Sequence, residues 1–338
     1  MSDIGNYYCS FEAGKKYQEQ GDYTRAAIEY WMCMQYYHHG EFPVGVDKSI
    51  MYEARHEYNN PLLTNMYAPL SKTTYIKGCQ CLKALWMYKH KYNERVVNEE
   101  LQKKFNDGHN IGALAQKLFP DGEDASWMEN KDKCLKKLQQ RSPIKIYNFP
   151  AAHRQALWCQ RTKEFMDKGT THIYEAAFTN GLVFAAIDVL ELNNEKTVAY
   201  EVKSTYDVKD VFIQDCVLQY HVINKNVPLD DFVLITINKE YFESLGVPLN
   251  DLTEENCEIH KLFKKQSILE EVKALQDKVK ENIKRIEPMV YENEEPSISM
   301  GAQCSKPYKC EFQQYCSRNS KSKMSFFKRL FGKKKYHK

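Results

Sequence analysis

Asp188, in the stretch AAIDVLEL, and Glu201 with Lys203, in AYEVKS, are the residues whose types and spacing best suit chemistry. Residues two apart on a β-strand point to the same face, so Glu201 and Lys203 share one side of a strand. A hairpin can bring Asp188, on the preceding strand, beside Glu201. Two converging carboxylates repel each other unless a hard cation neutralises them, and Mg2+ or Mn2+ with oxygen ligands is the natural occupant. The Val202 carbonyl could add a further oxygen. Such an ion polarises a scissile phosphate and lowers the pKa of a bound water. Lys203 would hold that water or stabilise the charge that develops on the phosphoryl oxygens. An isolated E-x-K is a weak sign in a chain with 28% charged residues, where the plain reading is an ion pair on a solvated strand. Here it follows an apolar strand and a turn, and QDCVLQYHV (214–222) comes on the next predicted helix.

The 11 cysteines offer a second chemistry. Cys304, Cys310 and Cys316 are spaced C-x5-C-x5-C, wider than the C-x2–4-C pairs of zinc knuckles. A tetrahedral sulfur site can be zinc or iron–sulfur, and three residues leave a fourth ligand to be supplied. The opening residues MSDIGNYYCSFEAGKK carry no basic segment followed by an apolar one, and no run approaches the 18 apolar residues of a membrane span. A cytoplasmic location is therefore expected, where thiols stay reduced and clustered cysteines bind metal rather than pair. Cys9, Cys33, Cys134, Cys159, Cys216 and Cys257 show no ligand spacing and read as small buried hydrophobes.

The elements that must position these residues follow from pattern. THIYEAAF (171–178), GLVFAAIDVLEL (181–192) and KTVAYEVKS (196–204) are short, β-branched and aromatic, and parted by Asn180-Gly181 and Asn193-Asn194. That predicts a three-stranded meander. A helix is predicted over 207–225, a buried strand at 231–238 and a helix over 262–286. Upstream, helices are predicted over 73–92, from Gly108 to Pro120, over 129–141 and over 151–168. The fold class is α/β (α+β), a mixed central sheet flanked by helices. Residues 7–40 read as a helical hairpin about Gly21-Asp22. Gly14, Tyr17, Gly21, Ala26 and Tyr30 match most of the spacing of a tetratricopeptide pair. A single copy suits packing on the main domain, or else binding a protein partner. The expected organisation is a hairpin over 1–42, a connecting segment over 43–69, a main domain over 70–318 and a basic tail over 319–338.

Residues 321–338 hold 8 of the 48 Lys and Arg and no acid; without them 40 basic residues face 45 acidic ones, a net of −5. Any nucleic-acid groove must then be a local basic patch. The tail, with Phe326, Phe327, Leu330 and Phe331 among its cations, reads as solvated chain or as a segment that grips nucleic acid.

The order Asp188, Glu201-Val202-Lys203, Gln219-Tyr220 resembles the RecB-like PD-(D/E)XK nucleases, in which a Gln and a Tyr often brace the site. LSKTTYIKGCQCLKALW (70–86), IYEAAF (173–178), AYEVKSTYDVKD (199–210), ITINKEY (235–241) and CSKPYKCEFQQYC (304–316) look like an uncharacterised bacterial domain-of-unknown-function family within that group. The resemblance covers about residues 70–318. It implies a restriction-endonuclease-like fold, a DNA substrate cut at single strands or ends, and Glu175 as a further carboxylate near the site. It also makes Cys81 the fourth ligand, with Cys304, Cys310 and Cys316, of a 4Fe–4S cluster, as in the AddB subunit and the CRISPR-associated exonuclease; Cys79 is the rival. Many relatives carry a metal-binding His on an early helix, in a G-x-x-x-H setting. Here Gly112 takes that place and His109 lies three residues before it. The alternative is therefore a catalytically inactive nucleic-acid-binding or partner-binding protein on the same fold.

Overall fold

The computed structural model describes residues 3–39, 49–58, 70–96, 99–126, 151–193 and 196–318; the helix expected over 129–141 and the tail 319–338 lie outside them. Among the described residues seven strands form one mixed, open sheet accompanied by helices, the α/β class expected. In chain order the strands are β1 (Leu70–Ser71), β2 (Glu123–Asp124), β3 (His172–Asn180), β4 (Val183–Leu192), β5 (Thr197–Val202), β6 (Asp231–Ile237) and β7 (Phe263–Ser267). The helices are α1 (Asp3–Glu19), α2 (Tyr23–His39), α3 (Ser49–Tyr58), α4 (Lys72–Gln80), α5 (Leu82–His90), α6 (Glu99–Gln116), α7 (Ala151–Asp167), α8 (Asp210–Asn226), α9 (Lys239–Leu245), α10 (Ile259–Leu262), α11 (Leu269–Ala274) and α12 (Gln276–Tyr291). No helix among the described residues is long and apolar enough to cross a membrane.

The chain divides into two compact units, and the division passes through β5, between Glu201 and Val202. The first unit comprises Met1–Pro69, Phe119–Glu201 and Val222–Phe232. Its hairpin forms as the sequence suggests: Gly21, at φ +74°, makes the left-handed turn that glycine tolerates. Gly14 is required by close approach, because a Cβ there would stand 2.7 Å from the Tyr30 ring. Tyr30 donates to Gln18 Oε1 at 2.8 Å, and Gln18 in turn donates to Glu57 of α3 at 3.0 Å. α3 lies within the stretch 43–69 read as connecting, where three prolines obscured one short helix. Phe11, Ile28, Met32 and Met51 share a core with Leu157 of α7, and Arg25 bridges Asp22 and Glu164. The hairpin thus packs on α7.

In that unit β2 pairs parallel with β3, and β3, β4 and β5 form the predicted antiparallel meander, with Gly181 at φ +56° in the first turn. The second unit comprises Leu70–Leu118, Val202–His221 and Val233–Lys338. Here Lys203 N–H donates to Ile235 O at 2.9 Å and Ile237 N–H donates to Thr205 O at 2.8 Å, so the chain leaving β5 runs parallel to β6. A parallel partner requires a crossover, and α8 supplies it.

Two expectations are corrected. The helix expected over 262–286 begins as β7, antiparallel to β6, and helical structure resumes at Leu269. Phe263 is buried and the next four residues are exposed. Lysines on an outer strand discourage further pairing but also hide its strand character. The helix expected over 73–92 is two helices, α4 and α5, separated at Cys81, whose backbone is extended (φ −162°, ψ 120°).

Candidate functional site

The carboxylates arise from strand register. Tyr174 pairs with Val189 and Ala176 with Ile187, so Glu175 and Asp188 stand opposite each other. Val189 pairs with Tyr200, the last pair between β4 and β5, and Asp188 and Glu201 each lie one residue beyond it at the same end of these neighbouring strands. Glu175, across from Asp188, falls where the β3 ladder is interrupted. Glu201 is 2% exposed, while Glu175 and Asp188 are half-buried. Like charges set opposite each other destabilise a sheet, and a buried carboxylate is costly unless compensated. As a donor set, three carboxylates supply hard oxygens of the kind that Mg2+ and Mn2+ take.

Glu175 is also where β3 is bent. Its φ is +54°, a left-handed conformation that costs a non-glycine residue about 1–2 kcal/mol. β2 ends at Asp124, and beyond it α7 serves the outer edge of β3. Trp158 Nε1 donates to Glu175 O at 2.5 Å, and buried Thr162 Oγ1 accepts from Ala177 N–H at 2.8 Å. These bonds satisfy strand groups that the short β2 leaves without a ladder partner. Glu175→Val, which puts a β-branched residue at positive φ, should lower stability by about 1–3 kcal/mol. Glu175→Gly should change it by less than about 1 kcal/mol, because relief of strain offsets lost strand propensity. Equal denaturant midpoints for the two variants would contradict the assigned backbone strain.

Lys203 is the first residue beyond β5, in the second unit. Its ammonium contacts Asp215 Oδ2 at 3.1 Å and lies 5.4 Å from the centre of the Phe212 ring, both groups being on α8. The side chains of Lys203 and Asp215 are only 14% and 13% exposed, so the pair is partly desolvated and removing one partner would leave a costly unpaired charge. One turn beyond Asp215, Gln219 is fully buried, and Tyr220 beside it is buried too. His109 is exposed on α6, and a Cβ at Gly112 would meet nothing within 4 Å, leaving room there for a larger side chain.

Cys81, Cys304, Cys310 and Cys316, all in the second unit, line one small pocket with Ala84, Met87 and Phe312. Burial pushes the Cys310 and Cys316 thiols up, and the neighbouring cysteines of the set oppose their ionisation further. Four thiolates in such surroundings need a cation's charge, which zinc or an iron–sulfur cluster would supply. Cys79 lies elsewhere, half-buried near Tyr75 and Arg285. Gly78 admits α12 at this point: a Cβ there would stand 2.9 Å from Ile286. Among the described residues no group of three or more His, Cys, Asp or Glu forms a ready metal shell.

The cysteine segment is braced by polar side chains. Gln80 Nε2 donates to the carbonyls of both Gln303 and Tyr308 at 2.7 Å. Glu311 accepts from Lys77 at 2.7 Å and from Arg95 at 3.0 Å. Glu295 binds Lys83 at 2.7 Å and Lys91 at 3.3 Å, and accepts from Tyr315 at 2.8 Å. Burial would raise the Glu295 carboxyl, but Lys83, Tyr315 and Lys91 hold it down to about 2. A depressed carboxyl contributes stability above its unfolded value, near 4.5, and loses it as pH falls toward the folded one. Glu295→Gln should therefore be less stable than the parent by on the order of 2 kcal/mol at pH 6, with the two melting curves converging as pH approaches 2. A gap independent of pH would exclude this ionic brace.

Register places Asp188 and Glu201 each one residue beyond the Val189–Tyr200 pair, and the four predicted cysteines share one pocket. Asp215 and Gln80 were missed by sequence reasoning. The signal for Asp215 was its place one helical turn before Gln219, whereas nothing marks Gln80 except that it adjoins Cys81. No family model, no curated protein and no solved structure matches this chain.

Proposed function

We propose that this protein is a metal-dependent nuclease of the RecB-like PD-(D/E)XK type, with a restriction-endonuclease-like sheet, that hydrolyses phosphodiester bonds in DNA. Asp188 and Glu201 at the same end of neighbouring strands, followed two residues along the chain by a lysine held against Asp215, carry this reading. Asp188, Glu201 and the Val202 carbonyl would hold Mg2+ or Mn2+, which when bound polarises the phosphate and makes water more acidic. Lys203 supplies a fixed positive charge toward which the phosphoryl oxygens can turn as they gain charge. Asp215 keeps that ammonium oriented. Gln219 and Tyr220 brace the helix that carries Asp215. Cys81, Cys304, Cys310 and Cys316 would hold a 4Fe–4S cluster whose part is structural, joining residues far apart in the chain.

The preference for single strands or ends rests on the resemblance. An inactive nucleic-acid-binding protein on the same fold is the second reading, favoured by Gly112 standing where relatives carry a histidine. Labelled DNA separates the two: Mg2+- or Mn2+-dependent cleavage that stops on chelation supports the first, and affinity without cleavage establishes the second.

A further inference from the structure

The loop between Cys304 and Cys310 has features that the cysteines do not explain. Its sequence, Ser305-Lys306-Pro307-Tyr308-Lys309, contains two lysines, a tyrosine and no acid. The nearest acid along the chain, Glu311, is already paired with Lys77 and Arg95. Lys306 and Lys309 are exposed, and Tyr308 is 46% exposed, a large aromatic left in water. The backbone beneath the ring is nonetheless held, because the single amide of Gln80 grips the carbonyls of Gln303 and Tyr308 together. Burial of its inner side raises the Tyr308 hydroxyl, the Asp215 carboxylate raises it further and the Lys203 ammonium opposes them. A second exposed aromatic, Tyr206, follows Lys203 by three residues and leans on Phe242 at 6.0 Å.

A rigidly mounted, solvent-exposed ring flanked by cations fits one class of partner. Single-stranded nucleic acid offers unstacked bases and a phosphate backbone, and proteins meet it with aromatic platforms beside basic residues. A duplex keeps its base faces stacked on one another and has none to offer. An acidic protein segment would satisfy the lysines but would give the ring no flat face to cover.

We propose that the Tyr308 ring is a stacking platform for a base of a single-stranded nucleic acid, with Lys306 and Lys309 against the adjoining phosphates. The proposal rests on the nuclease reading for the identity of the substrate and names the chain's own contact to it. It delivers the strand beside Lys203, and it makes strand binding depend on the segment that the cysteines and Gln80 anchor.

The test is the affinity of the full chain for a fluorescein-labelled oligothymidine and for a duplex of equal length, both in chelator so that nothing is cut. Tyr308→Ala should weaken single-strand binding about 5- to 140-fold and leave duplex binding unchanged, and Tyr308→Phe should stay within about twofold of the parent. Tyr308→Trp guards against a folding defect: it should bind as well as the parent, and its indole emission should be quenched when the oligonucleotide is added. Unchanged affinity in Tyr308→Ala, or an unquenched indole in a complex that forms, overturns the platform and leaves the nuclease reading standing. Failure of the parent to bind either nucleic acid removes both.

Discussion

Glu201→Gln and Asp188→Asn should each cut the rate of phosphodiester cleavage by at least about a thousandfold, with the fold intact. Each change keeps side-chain volume and removes one charge, so packing around buried Glu201 is preserved. What is lost is an oxygen ligand of full negative charge, and metal-assisted polarisation contributes several kcal/mol to such reactions, with each 1.36 kcal/mol worth about tenfold in rate. Lys203→Ala removes transition-state charge stabilisation but no ligand, so it should lower the rate by about two to four orders of magnitude while Mn2+ binding is retained. Asp215→Asn should fall between the parent and Lys203→Ala, because the ammonium remains but loses its 3.1 Å partner. The measurement is single-turnover cleavage beside Mn2+ titration and a melting curve for every variant. A Lys203→Ala protein that no longer binds Mn2+ would show that the lysine and the ligands had been assigned the wrong roles.

Cys81→Ala and Cys310→Ala should abolish metal and sulfide content and leave the protein insoluble or sensitive to protease; Cys79→Ala should do neither. The difference lies in position. Cys81 occupies the extended break between α4 and α5 and lines the same pocket as Cys304, Cys310 and Cys316, whereas Cys79 lies near Tyr75 and Arg285. Metal bound by residues so far apart in sequence is folding free energy, because the unfolded chain offers no assembled site. Protein purified without oxygen should be brown and contain iron and acid-labile sulfide. Stoichiometric zinc without sulfide would replace the cluster by a structural zinc site and leave the position argument unchanged.

How far the sequence discloses this protein varies by element. Asn180-Gly181 and the β-branched runs on either side made the meander legible, and with it the neighbouring strands that carry Asp188 and Glu201. Glu175 was legible as a carboxylate near the site, but no residue type announces its left-handed backbone, beside which Trp158 and Thr162 of α7 bond to β3. β7 was hidden because an edge strand exposes most of its residues, so Lys264, Lys265 and Gln266 carry no apolar alternation. The break at Cys81 was hidden for the opposite reason. KGCQCLKALW holds no proline or turn pair to mark an end, and the three cysteines that share a pocket with Cys81 lie over two hundred residues away in sequence. Asp215 was legible only as a residue one helical turn before Gln219; its pairing with Lys203, on another element, comes from the fold.

The central claim is that Glu201 and Asp188 bind a divalent metal used to cut phosphodiester bonds. Its most direct test is cleavage of end-labelled single-stranded DNA by anaerobically purified parent and Glu201→Gln proteins, matched for metal–sulfur content and helicity, with and without Mn2+. The account predicts cleavage by the parent only when Mn2+ is present, and none by Glu201→Gln at any metal concentration. Cleavage by Glu201→Gln at the parental rate, or by the parent at an undiminished rate in chelator, would contradict it.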